Sequence, residues 1–234
     1  MTLGSRAEST VGAMAELLPL FPLTTVLFPE MLLPLHIFEP RYRLLVRRSM
    51  DNDRPFGVVL IRSGQEVGAT AAPHAIGTEA KIMAFSPLSD GRSYIVVRGL
   101  RRFVLEQAIT DTEPYLVGRV RYLEEADGEG ASHRAAVTVE AYGQYLVAVM
   151  AVTDDARGDR AIVDELGTVP PREAAYRIAA SLAVDATERQ RLLELPSDAE
   201  RLVAEKNLLE RETMLLRDLL VRLRAHGEGG GTLN

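Results

Sequence analysis

The sequence predicts an α+β chain: a β-rich first half folded as a barrel or sandwich, then an all-helical second half with a long last helix. Three observations lead there. Leu18 to Tyr42, LPLFPLTTVLFPEMLLPLHIFEPRY, is strongly apolar yet carries prolines at 19, 22, 29, 34 and 40. Proline fixes φ and removes a backbone donor, so this stretch cannot be one helix; it reads as short edge strands joined by tight corners. Short apolar runs with turn residues between them then continue to about Glu125, the pattern of a β-rich domain. Beyond Asp127-Gly-Glu-Gly130 the apolar spacing becomes helical.

The elements follow in order. Residues 1–15 are small and polar and read as a disordered N-terminus. The β domain spans 16–125. Within it, Pro40 to Met50 reads as a helix capping one end of the barrel, because proline suits the first helical turn and Tyr42, Leu45, Val46 and Ser49 share one face. Phe56 to Ile61 is a short apolar run bounded by Pro55 and Ser63-Gly64, as for a buried strand. Ala80 to Phe85 and Ser93 to Val97 flank Asp90-Gly91, a hairpin signal for a type I′ turn. Arg102 to Ile109 and Tyr115 to Leu123 complete the strands.

The helical subdomain spans 131–226. Val139, Tyr142, Leu146 and Val149 form a stripe on a helix of about 20 residues. Thr153 to Pro171 reads as a loop of mixed charge, exposed or holding a short internal turn. Pro171 opens the next helix, through Ile178 and Leu182. Asp185 with Glu188, and Ser197 with Glu200, have capping-box spacing and mark two more helix starts. The last helix runs from about Asp198 to Ala225, and residues 227–234 read as a flexible, glycine-rich tail.

Composition narrows the function classes. The chain has 234 residues, 47% hydrophobic and 26% charged, with a net charge of −6. Among its basic residues only Lys81 and Lys206 are lysines. An acidic total argues against nucleic acid as a general partner. With no cysteine, disulfides, thiolate catalysis and cysteine-based zinc sites are excluded. His36, His74, His133 and His226 lie far apart without metal-ligand spacing, so no metal or cofactor is expected. No secretory signal and no run of 18 uninterrupted apolar residues is present, which points to the cytoplasm and away from a membrane.

Catalytic motifs are missing too. Neither lysine follows a glycine, so there is no phosphate-cradling GxxxxGK[ST] loop, and no GxGxxG or GxSxG occurs. His36 beside Glu39 and Arg41 could be a catalytic or pH-sensitive histidine. The preferred reading is structural, its ring nitrogens tying down backbone at a proline corner, because no second catalytic group lies nearby in sequence. Glu39 suits the helix N-terminus, or a pair with an arginine on a neighbouring strand. Leu202, Leu209, Leu216 and Leu223 recur at heptad spacing. Glu205 and Glu212 spoil the second seam position, while Leu208, Leu215 and Leu220 widen the stripe. Packing on the chain's own helices is therefore preferred, with self-association left open.

The opening segment, read as PLFPLTTVLFPEMLLPLHIFEPRYRLLV over 19–46, resembles the start of the Lon protease amino-terminal domain in its stand-alone bacterial form. FGVVLI at 56–61 with EVG at 66–68, IGTEAKI at 76–82, GRSYIVVRGLRRFVL at 91–105 and RQRLLELPSDAERL at 189–202 resemble later parts of that family in the same order. The shared pattern includes Pro22, Phe28, Pro29, Pro34, Leu35, Glu39, Arg41, Gly77, Gly99, Arg102 and Phe103. Glu30 departs from it, standing where the family usually has glycine; a turn needing positive φ there would strain glutamate.

The resemblance implies a PUA-like β-barrel followed by a helical bundle, and a role in capturing unfolded or tagged polypeptides. The family's ATPase and serine–lysine protease domains lie further along, and this sequence stops before either. The expectation is a non-enzymatic binding module, contacting polypeptide segments or a partner protein through Met31, Leu32, His36, Phe38 and Tyr42. The alternative is an adaptor or assembly protein using Leu202, Leu209, Leu216 and Leu223, as a monomer or weak homodimer.

Overall fold

A computed structural model describes residues 15–63, 72–153 and 160–229. EVG at 66–68, most of the N-terminal segment and residues 230–234 lie outside them. The strands are β1 Glu16–Leu23, β2 Leu32–Ile37, β3 Phe56–Ser63, β4 Ala72–Pro87, β5 Ser93–Ile109 and β6 Val117–Tyr122, with helix α1 Pro40–Asp51 between β2 and β3. Five helices follow: α2 Ala131–Thr153, α3 Arg160–Leu166, α4 Pro171–Ser181, α5 Ala186–Glu194 and α6 Asp198–Gly229.

The six strands form one mixed sheet in the order β2-β5-β4-β3-β1-β6, and β5 also pairs with β6. Five strands therefore close into a ring, and β2 hangs on β5 as an outer strand. The two short runs expected at 93–97 and 102–109 are one continuous strand, β5, with partners on both sides. It bends where its pairing with β4 shifts register, between Thr78/Ala80 and Ile82/Ala84.

The prolines of β1 correct the edge-strand expectation. Glu16 to Pro19 pair with β6, whereas Leu20 to Leu23 pair with β3 in parallel. Each half of β1 has one neighbour, so Pro19 and Pro22 are tolerated within a strand that is central to the sheet. Pro34 does lie in an edge strand, β2.

Phe28-Pro29-Glu30-Met31 is a turn closed by the Met31 N–H donating to the Phe28 carbonyl, 3.2 Å. Glu30 has φ 66°. Proline second and a left-handed residue third is the type II pattern, which explains why glycine suits position 30. The Glu30 carboxylate pairs with Arg98. The turn is docked on Gly99 by two backbone bonds, Glu30 N–H to the Gly99 carbonyl and Gly99 N–H to the Met31 carbonyl, 2.9 and 3.0 Å. A Cβ at Gly99 would lie 2.1 Å from the Phe28 carbonyl oxygen. Gly57 and Gly77 likewise leave room for the fully buried Phe103 ring.

The β4–β5 hairpin is not type I′. That turn needs positive φ at both central residues, and here Gly91 has it while Asp90 does not. The Gly91 N–H instead donates to the Leu88 carbonyl, 3.1 Å, and the Asp90 carboxylate accepts from the Arg92 N–H.

In α1 the buried residues are Tyr42, Leu45, Val46 and Ser49, the expected face. Glu39 caps the helix through its backbone, and its carboxylate meets Arg41 of the same helix, 3.0 Å, not an arginine on a strand. α3 falls within the stretch expected to be a loop. α6 continues through residues 227–229, expected to belong to a loose tail, because each added residue needs only one more ladder bond once a helix is nucleated. By length and composition α2 could cross a membrane. Counting uninterrupted runs does not register this, since Thr138, Glu140, Gly143 and Gln144 break the run. One face of α2, with Val139, Tyr142 and Tyr145, lies in the core shared with α4 and α6.

That same core takes in Val26, Phe28 and Leu60 from the β half. The connection at 126–130 is tied down as well. The Ala126 and Asp127 carbonyls accept the Asp198 and Ala199 N–H groups, 2.9 Å each, satisfying donors that the first turn of α6 leaves without partners.

Candidate docking surface

The outward face of β2-β5-β4 presents the densest group of expected site residues. Strand alternation sends Leu33, Leu35 and Ile37 into the core and Leu32, Pro34 and His36 outward. The register sets Leu32 beside Arg98, Pro34 beside Val96 and His36 beside Tyr94. On the far side of β5, Ala84 and Ser86 of β4 lie opposite Val96 and Tyr94. Leu32 is 59% exposed, Phe38 46% and Tyr94 52%, large values for apolar side chains gathered on one surface.

Aromatic contacts organise this surface. The His36 ring stacks on Tyr94 with centroids 4.7 Å apart and leans on Phe38 at 5.6 Å. Nε2 of His36 is buried and has no hydrogen-bond partner. The structure therefore does not have this nitrogen tying down the backbone; ring stacking is what fixes the imidazole. At the Leu32 end, the Glu30–Arg98 ion pair supplies a polar border. The outer edge of β2 is unpaired among the described residues, and Pro34 takes one donor out of it.

Of the five expected contact residues, Leu32, His36 and Phe38 come together here. Met31 is half-buried at the junction with α5, where the Arg189 guanidinium reaches its sulfur, 3.7 Å, and the Val26 carbonyl, 3.5 Å. Tyr42 is not available: it is buried, stacked on Phe21 at 4.0 Å. Sequence reasoning missed Tyr94. The signal was present, since Tyr94 alternates with the inward Ser93 and Ile95.

The leucines of α6 divide between two environments. Leu202 and Leu209 are fully buried and cannot serve an interface. Leu216 is half-buried, and Leu223 is exposed with Leu215 and Leu219.

A second cluster holds the two halves of the chain together. Buried Arg102 meets Glu125 through two bonds of 2.9 Å, and its third nitrogen donates to the Leu193 and Leu195 carbonyls, 2.6 Å each. Buried Arg201 donates to the Leu192 and Leu195 carbonyls, 3.0 Å each, and pairs with Asp198, 2.8 Å. Two guanidiniums thus satisfy the carbonyls at the C-terminal end of α5. The Tyr176 hydroxyl donates to Glu125, 2.8 Å, and its ring carries the Arg201 guanidinium 4.4 Å above it. Burial raises the Tyr176 phenol above its ordinary range. For Glu125 burial opposes ionisation, but the bonds from Arg102 and Tyr176 prevail and hold the carboxyl low. This is an architectural network, with each polar atom engaged by a partner of opposite kind. Among the described residues, no group of three or more acidic or histidine side chains is gathered as for a metal ion.

A ring-closed mixed sheet with an added outer strand, buttressed by helices through a buried arginine pair, defines the class of domain. A family model described as the ATP-dependent protease La (LON) substrate-binding domain matches residues 17–211. The chain belongs to this family. It is 23% identical over 217 residues to the Lon protease of Cytophaga hutchinsonii, a match covering 90% of the chain and 26% of the relative. With Lon protease 2 of Herpetosiphon aurantiacus it shares 30% identity over 190 residues, 79% of the chain and 22% of the relative. The chain thus spans about a quarter or less of these relatives. Among solved structures, a Lon N-terminal domain protein from Xanthomonas campestris superposes with a TM-score of 0.60 at 28% identity, covering 80% of this chain and 95% of that one. The N-terminal domain of the Mycobacterium avium complex Lon protease gives 0.63 at 18% identity, covering 83% and 98%.

Proposed function

We propose that the chain is a non-catalytic docking module for polypeptide segments in extended conformation, received on the outward face of β2 and β5. The observation that carries this reading is the exposed group Leu32, Phe38 and Tyr94 beside the unpaired edge of β2. An extended segment laid there would bury apolar side chains at about 25 cal/mol per Å² and gain main-chain bonds on either side of Pro34. Family membership supports a substrate-binding role. The matched region is the substrate-binding domain, with no ATPase or protease domain in the match.

Titration of the purified chain with a permanently unfolded, reduced and carboxymethylated protein tests the proposal. We expect binding that weakens at least tenfold in Leu32→Asp and Phe38→Asp, both surface changes that leave the fold intact. Equal binding by both variants would sink it.

The exposed Leu215, Leu219 and Leu223 favour a second reading, association through the outer half of α6. Light scattering over a concentration series should then show a larger species that Leu219→Glu abolishes. A monomer throughout would remove it.

A further inference from the structure

We propose a second docking surface, in the groove between α1 and β4, that takes an acidic polypeptide segment carrying an apolar anchor. It shares with the proposed function only the assumption that the occupant is polypeptide; the surface is different. Strand alternation separates the two. Tyr94 and its neighbour Ser86 face outward, whereas Phe85, paired with the buried Ile95, faces α1.

The groove consists of two adjoining cavities of about 260 and 250 Å³, and Met50 and Phe85 form a shared wall between them. Met50, Phe85 and Met83 are all exposed. Methionine side chains bend to fit, so such a lining accepts several apolar anchors.

The border is cationic. Arg43 and Arg47 line one cavity and Arg54 the other. Among the described residues these three have no ionic or hydrogen-bonded side-chain partner. Most other arginines here are engaged, including Arg48 with Glu113 and Arg92 with Asp90. The acids nearby do not cancel the charge: Asp53 is taken by Lys81, 3.2 Å, leaving Asp51 against three guanidiniums. In a chain of net charge −6, a local excess of unpaired arginine around an apolar floor is complementary to carboxylates flanking an apolar side chain. A nucleic acid fits less well. Its phosphates would satisfy the arginines, but its backbone offers nothing to the methionines, and the net charge of the chain repels a long polyanion.

Fluorescence anisotropy tests this with a labelled twelve-residue peptide of alternating glutamate and leucine. The controls are the same peptide with glutamine for glutamate, and a single-stranded RNA of matching charge. We expect the acidic peptide to bind at least fivefold tighter than the glutamine peptide, and to weaken at least fivefold with Arg43→Glu/Arg47→Glu or with Met83→Ser. Leu32→Asp should leave it unchanged, which separates this groove from the β2 surface. Loss of binding in Leu32→Asp alone, equal binding of both peptides, tighter binding of the RNA, or no peptide binding up to millimolar concentration would each overturn the proposal.

Discussion

Arg102 and Glu125 face each other on the β side of the junction between the two halves in a two-bond pair, buried on the arginine side. Arg102 sits on β5, while the carbonyls it also serves belong to the end of α5. One guanidinium therefore couples the sheet to the helices.

Removing it should be severe. Arg102→Met takes the side-chain donor from the Leu193 carbonyl and the cationic partner from the Glu125 carboxylate, leaving Glu125 with Tyr176 and the Leu195 carbonyl with Arg201, a loss expected to cost about 3–5 kcal/mol. Arg102→Lys should recover less than half, since an ammonium cannot reproduce the fork. Urea unfolding followed by circular dichroism measures both.

Glu30 holds a left-handed conformation that costs an L-residue about 1–2 kcal/mol. Its ion pair with Arg98 is exposed and worth at most about 1 kcal/mol. Glycine brings back some chain entropy in the unfolded state. Glu30→Gly should therefore be neutral to about 1 kcal/mol more stable, whereas Glu30→Val should lose at least about 1 kcal/mol. Thermal melts of both variants check the sign.

Glu205 of α6 is fully buried, and neither carboxylate oxygen has a hydrogen-bond partner. Burial raises its pKa well above the ordinary 4.5, against the pull of Arg201 and with the push of Asp198. The sign follows from proton counting. The folded chain keeps a proton that the unfolded chain releases above about 4.5, so this group makes stability fall as pH rises from there. Glu205→Gln should match the wild type near pH 4 and exceed it increasingly toward pH 8. Melting temperatures across that range decide; a constant difference would remove the argument.

Gly99→Ala would force a Cβ to within 2.1 Å of the Phe28 carbonyl oxygen. Backbone, not a flexible side-chain end, would have to shift, at an expected cost of about 1–3 kcal/mol. Denaturant midpoints would report it.

On α6, Leu209→Ala should cost about 2–5 kcal/mol and Leu223→Ala less than about 0.5, because the first lies in the core and the second in solvent. Equal losses would mean that Leu223 is covered in solution.

Much of this architecture was legible because local chemistry agrees with the final packing. The four residues of the α1 stripe are its buried face, and Asp185 and Ser197 accept the N–H groups of Glu188 and Glu200. The strain at Glu30 was readable from one missing glycine. Long-range pairing was not. Nothing local in Pro19 or Pro22 shows that β1 changes partner between them, and nothing in Arg102 or Arg201 shows that they converge on one helix end. For the docking surface, Leu32, His36 and Phe38 could be picked from their segment. Tyr94 could be read as outward from its alternation with Ser93 and Ile95, but its place beside His36 follows only from the β2–β5 register, and Tyr42 was misjudged because its stacking partner, Phe21, lies on another element.

The exchange of partners along β1 also carries a kinetic consequence. Its first half pairs with β6, roughly a hundred residues later in the chain, and its second half with β3 in parallel. Contacts of such separation require a large loop to close before they return any free energy, which slows folding. During synthesis, Glu16 to Pro19 must wait until Val117 to Val120 have left the ribosome. Until then the apolar first half of β1 lacks its partner strand, so the ring cannot close before β6 has emerged.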